Sequence, residues 1–96
     1  MLPLTVVAQK ISLGTCETHD NGIYQGEMLG GKPHGKGKTT FSNGDTYEGS
    51  FKDNHFSKGT YTVKATGEQF TGTFDSYGQP KKGSWYDKNG NFLQSV

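Results

Sequence analysis

Tyr47-Glu48-Gly49-Ser50-Phe51 is the stretch that decides the fold of this chain, together with the segment Phe41–Thr46 that leads into it. The pattern returns 23 residues upstream as Tyr24-Gln25-Gly26-Glu27-Met28 and 23 residues downstream as Phe70-Thr71-Gly72-Thr73-Phe74. A fixed period of roughly 20 to 50 residues is the sequence signature of stacked structural units. The chain is therefore built from an internal repeat.

The remaining glycines follow the same period within one residue. One set opens each short run of strand-forming residues: Gly14, Gly37, Gly59 and Gly83. A second set closes the runs at intervals of 23 residues: Gly44, Gly67 and Gly90. We interpret most of the 15 glycines as architectural.

Short runs bounded by Gly, Asn, Asp or Pro predict strands separated by turns. The predicted strands lie near residues 11–17, 23–28, 35–41, 46–51, 59–63, 69–74 and 83–86, with a further one near 91–93. No window places apolar residues at helical spacing, so we expect essentially no helix.

Strand geometry explains the aromatic-x-Gly-x-aromatic box. Because side chains alternate between faces, Tyr47, Gly49 and Phe51 point one way while Glu48 and Ser50 point the other. A glycine between two aromatic residues leaves bare backbone over which a ring from the neighbouring strand can lie. One face becomes a set of rings and glycines, and the other a solvated polar surface.

This pattern resembles the MORN repeat (membrane occupation and recognition nexus). The best match runs from Tyr24 to Phe51, where Lys32-Pro33-His34-Gly35-Lys36-Gly37 reproduces the Lys-x-His-Gly-x-Gly element of that family. The next copies depart from it, since residues 54–59 and 79–83 lack the first glycine of the element. The resemblance covers about residues 14 to 93 and also makes His34 a structural turn residue.

The expected fold class is all-β: an elongated, twisted, antiparallel single sheet of successive β-hairpins. Residues 13–96 form the repeat domain, with about three and a half repeats, and residues 1–12 form an apolar N-terminal segment. That segment resembles the end of a secretory signal peptide but lacks a basic start, so it is interpreted as a signal remnant or as an edge strand. The first alternative favours export or the cell envelope over the cytoplasm.

The residues expected to hold the repeat together are the aromatic residues and glycines of the recurring boxes. They are Tyr24, Gly26, Gly35, Gly37, Gly44, Tyr47, Gly49, Phe51, Gly59, Gly67, Phe70, Gly72, Phe74, Gly83, Trp85 and Gly90.

Composition excludes several classes of function. Ten Lys, no Arg and nine acidic residues give a net charge of +1, which does not fit a nucleic-acid binder that relies on a clustered basic face. Cys16 is the single cysteine, so no intramolecular disulfide or cysteine-based zinc site can form, and we expect it to be an ordinary inward-facing strand residue.

No catalytic or cofactor-binding pattern is present in the sequence. The serines lie in ordinary turn contexts without Gly-x-Ser-x-Gly, and no helix follows the glycines to form a phosphate-binding loop. His34 and His55 fall in corresponding inter-strand turns near Asp53, but their spacing does not fit a metal site. We expect neither enzymatic activity nor a cofactor or metal.

Two lysine-rich segments are candidate contacts for anions or lipids. The candidate residues are Lys32, His34, Lys36, Lys38, Lys81 and Lys82. The MORN resemblance implies attachment of partners, proposed phospholipid binding and repeat-mediated dimerisation. The predicted function is a non-enzymatic protein-binding or scaffold module that can self-associate. Peripheral binding to anionic phospholipid and a structural role in an envelope or surface assembly are the alternatives.

Overall fold

The computed structural model describes residues 11–18 and 21–96, which form one antiparallel sheet of eight strands in the order of the chain. The strands are β1 (Ser12–Thr18), β2 (Gly22–Leu29), β3 (Lys32–Phe41), β4 (Thr46–Lys52), β5 (His55–Thr62), β6 (Gln69–Phe74), β7 (Pro80–Tyr86) and β8 (Phe92–Ser95). Each strand pairs only with its neighbours in sequence, so the fold is a series of hairpins.

The predicted fold class is confirmed. The sheet is open, and no helix occurs within residues 11–18 and 21–96, so the described part of the chain contains no helix that could cross a membrane. The radius of gyration is 15.7 Å and the extents are 59 × 25 × 21 Å. A compact domain of this length has a radius of gyration of about 12 to 13 Å, so the molecule is elongated.

Three strands begin earlier than predicted. Strand β3 begins at Lys32, β5 at His55 and β7 at Pro80, because the hairpins are closed by tighter turns than the sequence indicated. Asp53 and Asn54 form a two-residue turn with φ of 50° and 72°, the conformation that matches the twist of the flanking strands. The interpretation of His34 and His55 as turn residues is therefore wrong, since both lie in strands.

The predicted N-terminal segment 1–12 lies outside the described residues except for its last two positions. Its interpretation as a signal remnant or an edge strand, and the envelope location that depends on it, stay predictions. The first described strand, β1, begins at Ser12.

A continuous row of glycines crosses the sheet from β1 to β7. Each of these glycines is the direct cross-strand partner of the next, and we call the set the glycine row. Its members are Gly14, Gly26, Gly37, Gly49, Gly59, Gly72 and Gly83. The repeat period seen in the sequence thus becomes a line perpendicular to the strands.

Next to the glycine row runs a second cross-strand row that is mostly aromatic. Its members are Cys16, Tyr24, Thr39, Tyr47, Tyr61, Phe70 and Trp85. The face that carries these side chains is called the ring face. The expectation that Cys16 points inward is confirmed, since it is partly buried and packs against the core.

The core lies on the ring face and is completed by rings from the other side of the glycine row. Tyr24, Tyr47 and Phe70 have no exposed surface, while Phe51 and Phe74 are buried on the far side of the row. Burying an aromatic side chain contributes about 1.5 to 3 kcal/mol, and these few residues therefore supply most of the hydrophobic stabilisation. The aromatic face is covered by the same chain.

Candidate functional site

Close approach of rings to backbone explains why the row consists of glycines. A Cβ atom on Gly37 would overlap the ring of Tyr24, and one on Gly83 would lie 2.8 Å from Cζ of Phe70. Gly49 and Gly72 also have φ of 159°, in the range that favours glycine. The predicted arrangement, in which a ring from one strand lies over a glycine of its neighbour, is present at Tyr24 and Gly37.

The rings meet edge to face across the glycine row. The centroids of Tyr24 and Phe51 are 4.7 Å apart at an interplanar angle of 78°, and those of Phe70 and Phe74 are 5.2 Å apart at 82°. Tyr47 stacks on Phe56 at 4.1 Å. Such pairs contribute about 0.5 to 1.5 kcal/mol each beyond the area that they bury. The rings of the ring face therefore pack against one another as a core.

The hydroxyl groups of the buried tyrosines are satisfied by backbone. Oη of Tyr24 donates to the carbonyl oxygen of Glu27 at 2.5 Å, and Oη of Tyr47 donates to that of Ser50 at 2.8 Å. Burial raises the pKa of Tyr47 to about 12, and a hydrogen bond with the backbone of Ser57 acts in the opposite direction. Both phenols are neutral structural groups at ordinary pH.

The opposite face, which we call the polar face, carries an open groove of about 660 Å³. Its floor is the backbone of the central glycine row at Gly37, Gly49 and Gly59. Its polar lining consists of Gln25, Lys36, Lys38, Glu48, Ser50, Lys58 and Thr71. The groove therefore offers ammonium groups and short hydroxyls beside exposed backbone, a surface suited to a polar, anionic partner.

Three lysines stand in one cross-strand line, and the first two of them, Lys36 and Lys58, line the groove. The three lysines are Lys36, Lys58 and Lys82, and each directly precedes a member of the glycine row. A Cβ on these glycines would point to the ring face. Because side chains alternate along a strand, the lysines point to the polar face. We call them the lysine row. Lys58 pairs with Thr73, and Thr73 in turn pairs with Lys82.

Ser50 continues the line between the first two lysines. It is the direct cross-strand partner of Lys36, and its hydroxyl oxygen lies 3.1 Å from the carbonyl oxygen and 3.2 Å from the amide nitrogen of Lys58. The order along the line is Lys36, Ser50, Lys58, Thr73 and Lys82, so cations alternate with neutral hydroxyls.

The structure separates the six predicted anion contacts into different places. Lys36 and Lys38 flank the groove, and Lys82 ends the lysine row. Lys32 and His34 instead line a smaller depression of about 210 Å³ beside Asp53, at the hairpin end of the sheet. Lys81 is exposed on β7. The basic residues of β3 thus lie at two different surfaces. Gly35, with a φ of 87°, separates Lys32 and His34 from Lys36 and Lys38.

Sequence reasoning missed Lys58 as a member of this surface. The available signal was the Lys-Gly step, which occurs at Lys36-Gly37, Lys58-Gly59 and Lys82-Gly83. The predicted repeat residues otherwise divide into the glycine row, the rings of the core, Gly35 within β3 and three turn glycines. Those turn glycines are Gly44, Gly67 and Gly90, with φ of 93°, 76° and 87°.

The turns at one end of the sheet contact each other from hairpin to hairpin. Asp45, between β3 and β4, accepts hydrogen bonds from the hydroxyl of Tyr61 at 2.8 Å and from the backbone N–H of Lys64 at 2.9 Å. The bond from Lys64, followed by that from Tyr61, holds the pKa of the Asp45 carboxyl below its usual range. The carboxylate therefore ties two successive hairpins together.

The edge strand β8 exposes apolar side chains. Phe92 is 59% exposed and Leu93 is 46% exposed, and among the described strands β8 pairs with β7 alone. At the other edge, Leu13 of β1 is 83% exposed. An edge strand presents unpaired N–H and C=O groups to which another chain can add.

No group of three or more His, Cys, Asp or Glu side chains within residues 11–18 and 21–96 is arranged to hold a metal ion. The groove, the lysine row and the two sheet edges are the candidate interaction surfaces of the described residues.

Comparison with known proteins gives one family. The model of the MORN repeat matches residues 24–46 and 47–62, which correspond to most of β2 and to all of β3, β4 and β5. No curated protein matches the chain. The matched residues contain the central part of the glycine row and the rings of Tyr24, Tyr47 and Phe51. These two segments of the chain are therefore similar to MORN repeats.

Proposed function

We propose that this protein is a non-enzymatic, protein-binding scaffold module that self-associates through its free strand edges. MORN repeats generally take part in protein or membrane interactions, and this general role supports a binding module. The proposal that partners bind at the strand edges rests on the complete burial of Tyr24, Tyr47 and Phe70 within one chain. Because the rings are covered, partners are left with the edges and the polar face.

Strand β8 is the edge that best suits a second copy. Its exposed Phe92 and Leu93 offer apolar surface beside unpaired backbone, and Val96 behind them is 50% exposed. Two β8 strands related by a two-fold axis run antiparallel, so each can supply the ladder partner that the other lacks. The pairing also removes an edge that would otherwise promote aggregation.

Light scattering over a wide range of protein concentration tests the proposal. We expect the wild-type chain to form a dimer as concentration rises and the double variant Phe92→Lys/Leu93→Lys to stay monomeric, because charge on an edge strand opposes pairing. Tyr77→Lys is the matched control, since Tyr77 is a turn residue that is 87% exposed. A wild-type chain that is monomeric at every concentration would contradict self-association, as would a dimer that survives in the double variant.

Peripheral binding to anionic phospholipid is a second candidate function. It is supported by basic side chains at the hairpin end of the sheet, where Lys32 and His34 lie beside one another and Lys52 is exposed next to the β4–β5 turn. Each cation near an anionic membrane surface contributes about 1 kcal/mol.

Co-sedimentation with phosphatidylserine vesicles tests this second candidate. We expect Lys32→Glu/Lys52→Glu to reduce binding, whereas Lys64→Glu/Lys88→Glu changes the same charge at the opposite end of the strands and leaves it intact. Equal binding to neutral phosphatidylcholine vesicles would remove the candidate.

A further inference from the structure

We propose that the lysine row binds an extended acidic segment of a partner protein in polyproline II conformation, with a carboxylate at every third residue. This goes beyond the scaffold function proposed above, because it concerns the polar face and does not depend on pairing of β8. The row is formed by Lys36, Lys58 and Lys82, all of them exposed.

The spacing of the lysines follows from the sheet. They lie on β3, β5 and β7, which are alternate strands of the ladder. Adjacent strands are about 4.7 to 4.9 Å apart, so successive lysines are separated by about 9.4 to 9.8 Å. The row is therefore a set of cations at a regular interval of one repeat.

The charges around the row favour an anion along its whole length. The residues between the lysines are Ser50 and Thr73, whose hydroxyl groups are neutral. Glu48 lies across the glycine row and is the cross-strand partner of Lys38. Glu27 lies beyond the first lysine, where its carboxylate accepts the backbone N–H of Lys36 at 2.7 Å. No carboxylate stands between the three lysines of the row.

Polyproline II is the chain conformation whose period fits this interval. It has three residues per turn and a rise of about 3.1 Å, so positions i, i+3 and i+6 lie on one side at intervals of about 9.3 Å. A β-strand repeats on one side at about 6.6 Å, and an α-helix returns to the same side after seven residues, at about 10.5 Å. Over two intervals, polyproline II stays within about 1 Å of the lysine positions, whereas the other two conformations drift further.

The groove beside the row suits a peptide better than a bilayer. Its volume of about 660 Å³ is lined by Lys36 and Lys58 of the row and by Lys38, over the bare backbone of Gly37, Gly49 and Gly59. An extended chain can lie in this depression, whereas the plane of a membrane surface cannot follow it. The lining contains no aromatic side chain on which proline rings would stack, so the carboxylates supply the affinity.

The experiment measures binding of two labelled synthetic peptides to the full chain at low salt by fluorescence anisotropy. The first is four repeats of Glu-Pro-Pro, which is held in polyproline II with a carboxylate at every third position. The second has the same composition, with its four glutamates in one block followed by eight prolines. We expect the periodic peptide to bind more tightly than the block peptide.

A matched pair of triple variants assigns the site. Lys36→Gln/Lys58→Gln/Lys82→Gln removes the row, and Lys32→Gln/Lys64→Gln/Lys88→Gln removes the same number of charges elsewhere. Exposed ion pairs contribute modestly, so we expect about tenfold weaker binding in the row variant and little change in the control. The single variant Lys58→Gln, which interrupts the row at its centre, should lie between wild type and the triple variant.

Three results would overturn the proposal. Equal affinity for the two peptides would show that spacing is irrelevant, and equal losses in both triple variants would show attraction by net charge alone. Binding to phosphatidylserine vesicles that depends on the row, without binding of the periodic peptide, would assign the row to a membrane. Self-association through β8 is measured separately, so its failure would leave the peptide result unaffected.

Discussion

Thr39 is an unusual residue of the ring face, because a hydroxyl stands where the neighbouring strands carry rings. Its side chain is fully buried between Tyr24 and Tyr47 in the cross-strand row. Among the residues that the structure describes, its Oγ1 has no hydrogen-bond partner. A buried polar group without a partner is destabilising by about 1 to 3 kcal/mol.

Replacing that hydroxyl by a methyl group should therefore stabilise the fold. For Thr39→Val we expect the free energy of unfolding to rise by about 1 kcal/mol, measured by chemical denaturation. The control is Thr60→Val, because Oγ1 of Thr60 lies 3.1 Å from Oγ1 of Thr71 on the polar face. A loss of stability in Thr39→Val would mean that its hydroxyl has a partner such as a buried water.

Adding a side chain at Gly37 should, in contrast, destabilise the fold. In Gly37→Ala the new Cβ would overlap the ring of Tyr24, whose side chain is fully buried. We expect a loss of about 1 to 3 kcal/mol in the free energy of unfolding, as is typical of overpacked sites. Gly31→Asn is the control, because nothing lies within 4 Å of that position and Asn tolerates its φ of 79°. Equal stability of Gly37→Ala and wild type would contradict the close packing of the glycine row.

The buried phenol of Tyr47 makes the free energy of unfolding depend on alkaline pH. Burial raises the pKa of its phenol from 10.0 to about 12 in the folded chain. Between these values the unfolded chain loses the proton while the folded chain keeps it, so the free energy of unfolding falls as pH rises. We expect a decrease of about 1 to 2 kcal/mol over this window, and less in Tyr47→Phe. Tyr77→Phe, at a side chain that is 87% exposed, is the control, and an unchanged slope in Tyr47→Phe would assign the effect to other groups.

At the scale of the elements, the hairpins are joined by their turns as well as by the ladder. Asp45 belongs to the β3–β4 turn but accepts hydrogen bonds from Tyr61 and Lys64 of the next hairpin. Asp75, by contrast, accepts bonds from the backbone of Tyr77 and Gln79 in its own turn.

This difference predicts unequal effects of two matched substitutions. Asp45→Ala should lower the free energy of unfolding by about 1 to 2 kcal/mol, because bonds between two hairpins are lost. Asp75→Ala should lower it less, since its bonds are local. Because the pKa of Asp45 is lowered in the folded chain, its contribution should be lost as pH falls through that value. Equal losses in the two variants at neutral pH would show that the turns do not couple the hairpins.

The sequence predicted the elements better than their ends. Strand β6 was predicted with the bounds it has, Gln69–Phe74, because glycine and polar residues flank it on both sides. The start of β3 was misplaced because Gly35 indicated a turn. In the structure Gly35 lies within the strand, opposite Phe51, with a φ of 87°. The pairing of β2 with β3 is irregular nearby, between Gly26 and Met28.

The lysine row could not be predicted from the repeat alone. Whether Lys58 stands in line with Lys36 depends on the register of β4 against β5, which shifts between Gly49 and Phe51. A shift of one residue turns every side chain of a strand to the other face. The period of the sequence indicates which residues recur, whereas the irregular pairing decides which of them meet.

At the scale of the whole molecule, a single layer of strands completes its own core. Rings on the two sides of the glycine row cover each other, so that Tyr24, Tyr47 and Phe70 are buried without a second sheet or a partner chain. Each hairpin contacts mainly its neighbours, as in other repeat proteins. The central strands, which have neighbours on both sides, should therefore be the most stable.

Amide hydrogen exchange of the dilute, monomeric chain measures whether one chain buries its own core. We expect slow exchange for paired amides of β3 to β6, where the buried rings lie, and progressively faster exchange toward β8. Uniformly rapid exchange in the monomer, with protection that appears only at concentrations where the chain associates, would contradict it. That result would mean that the rings are covered by a second molecule and that the chain does not complete its own core.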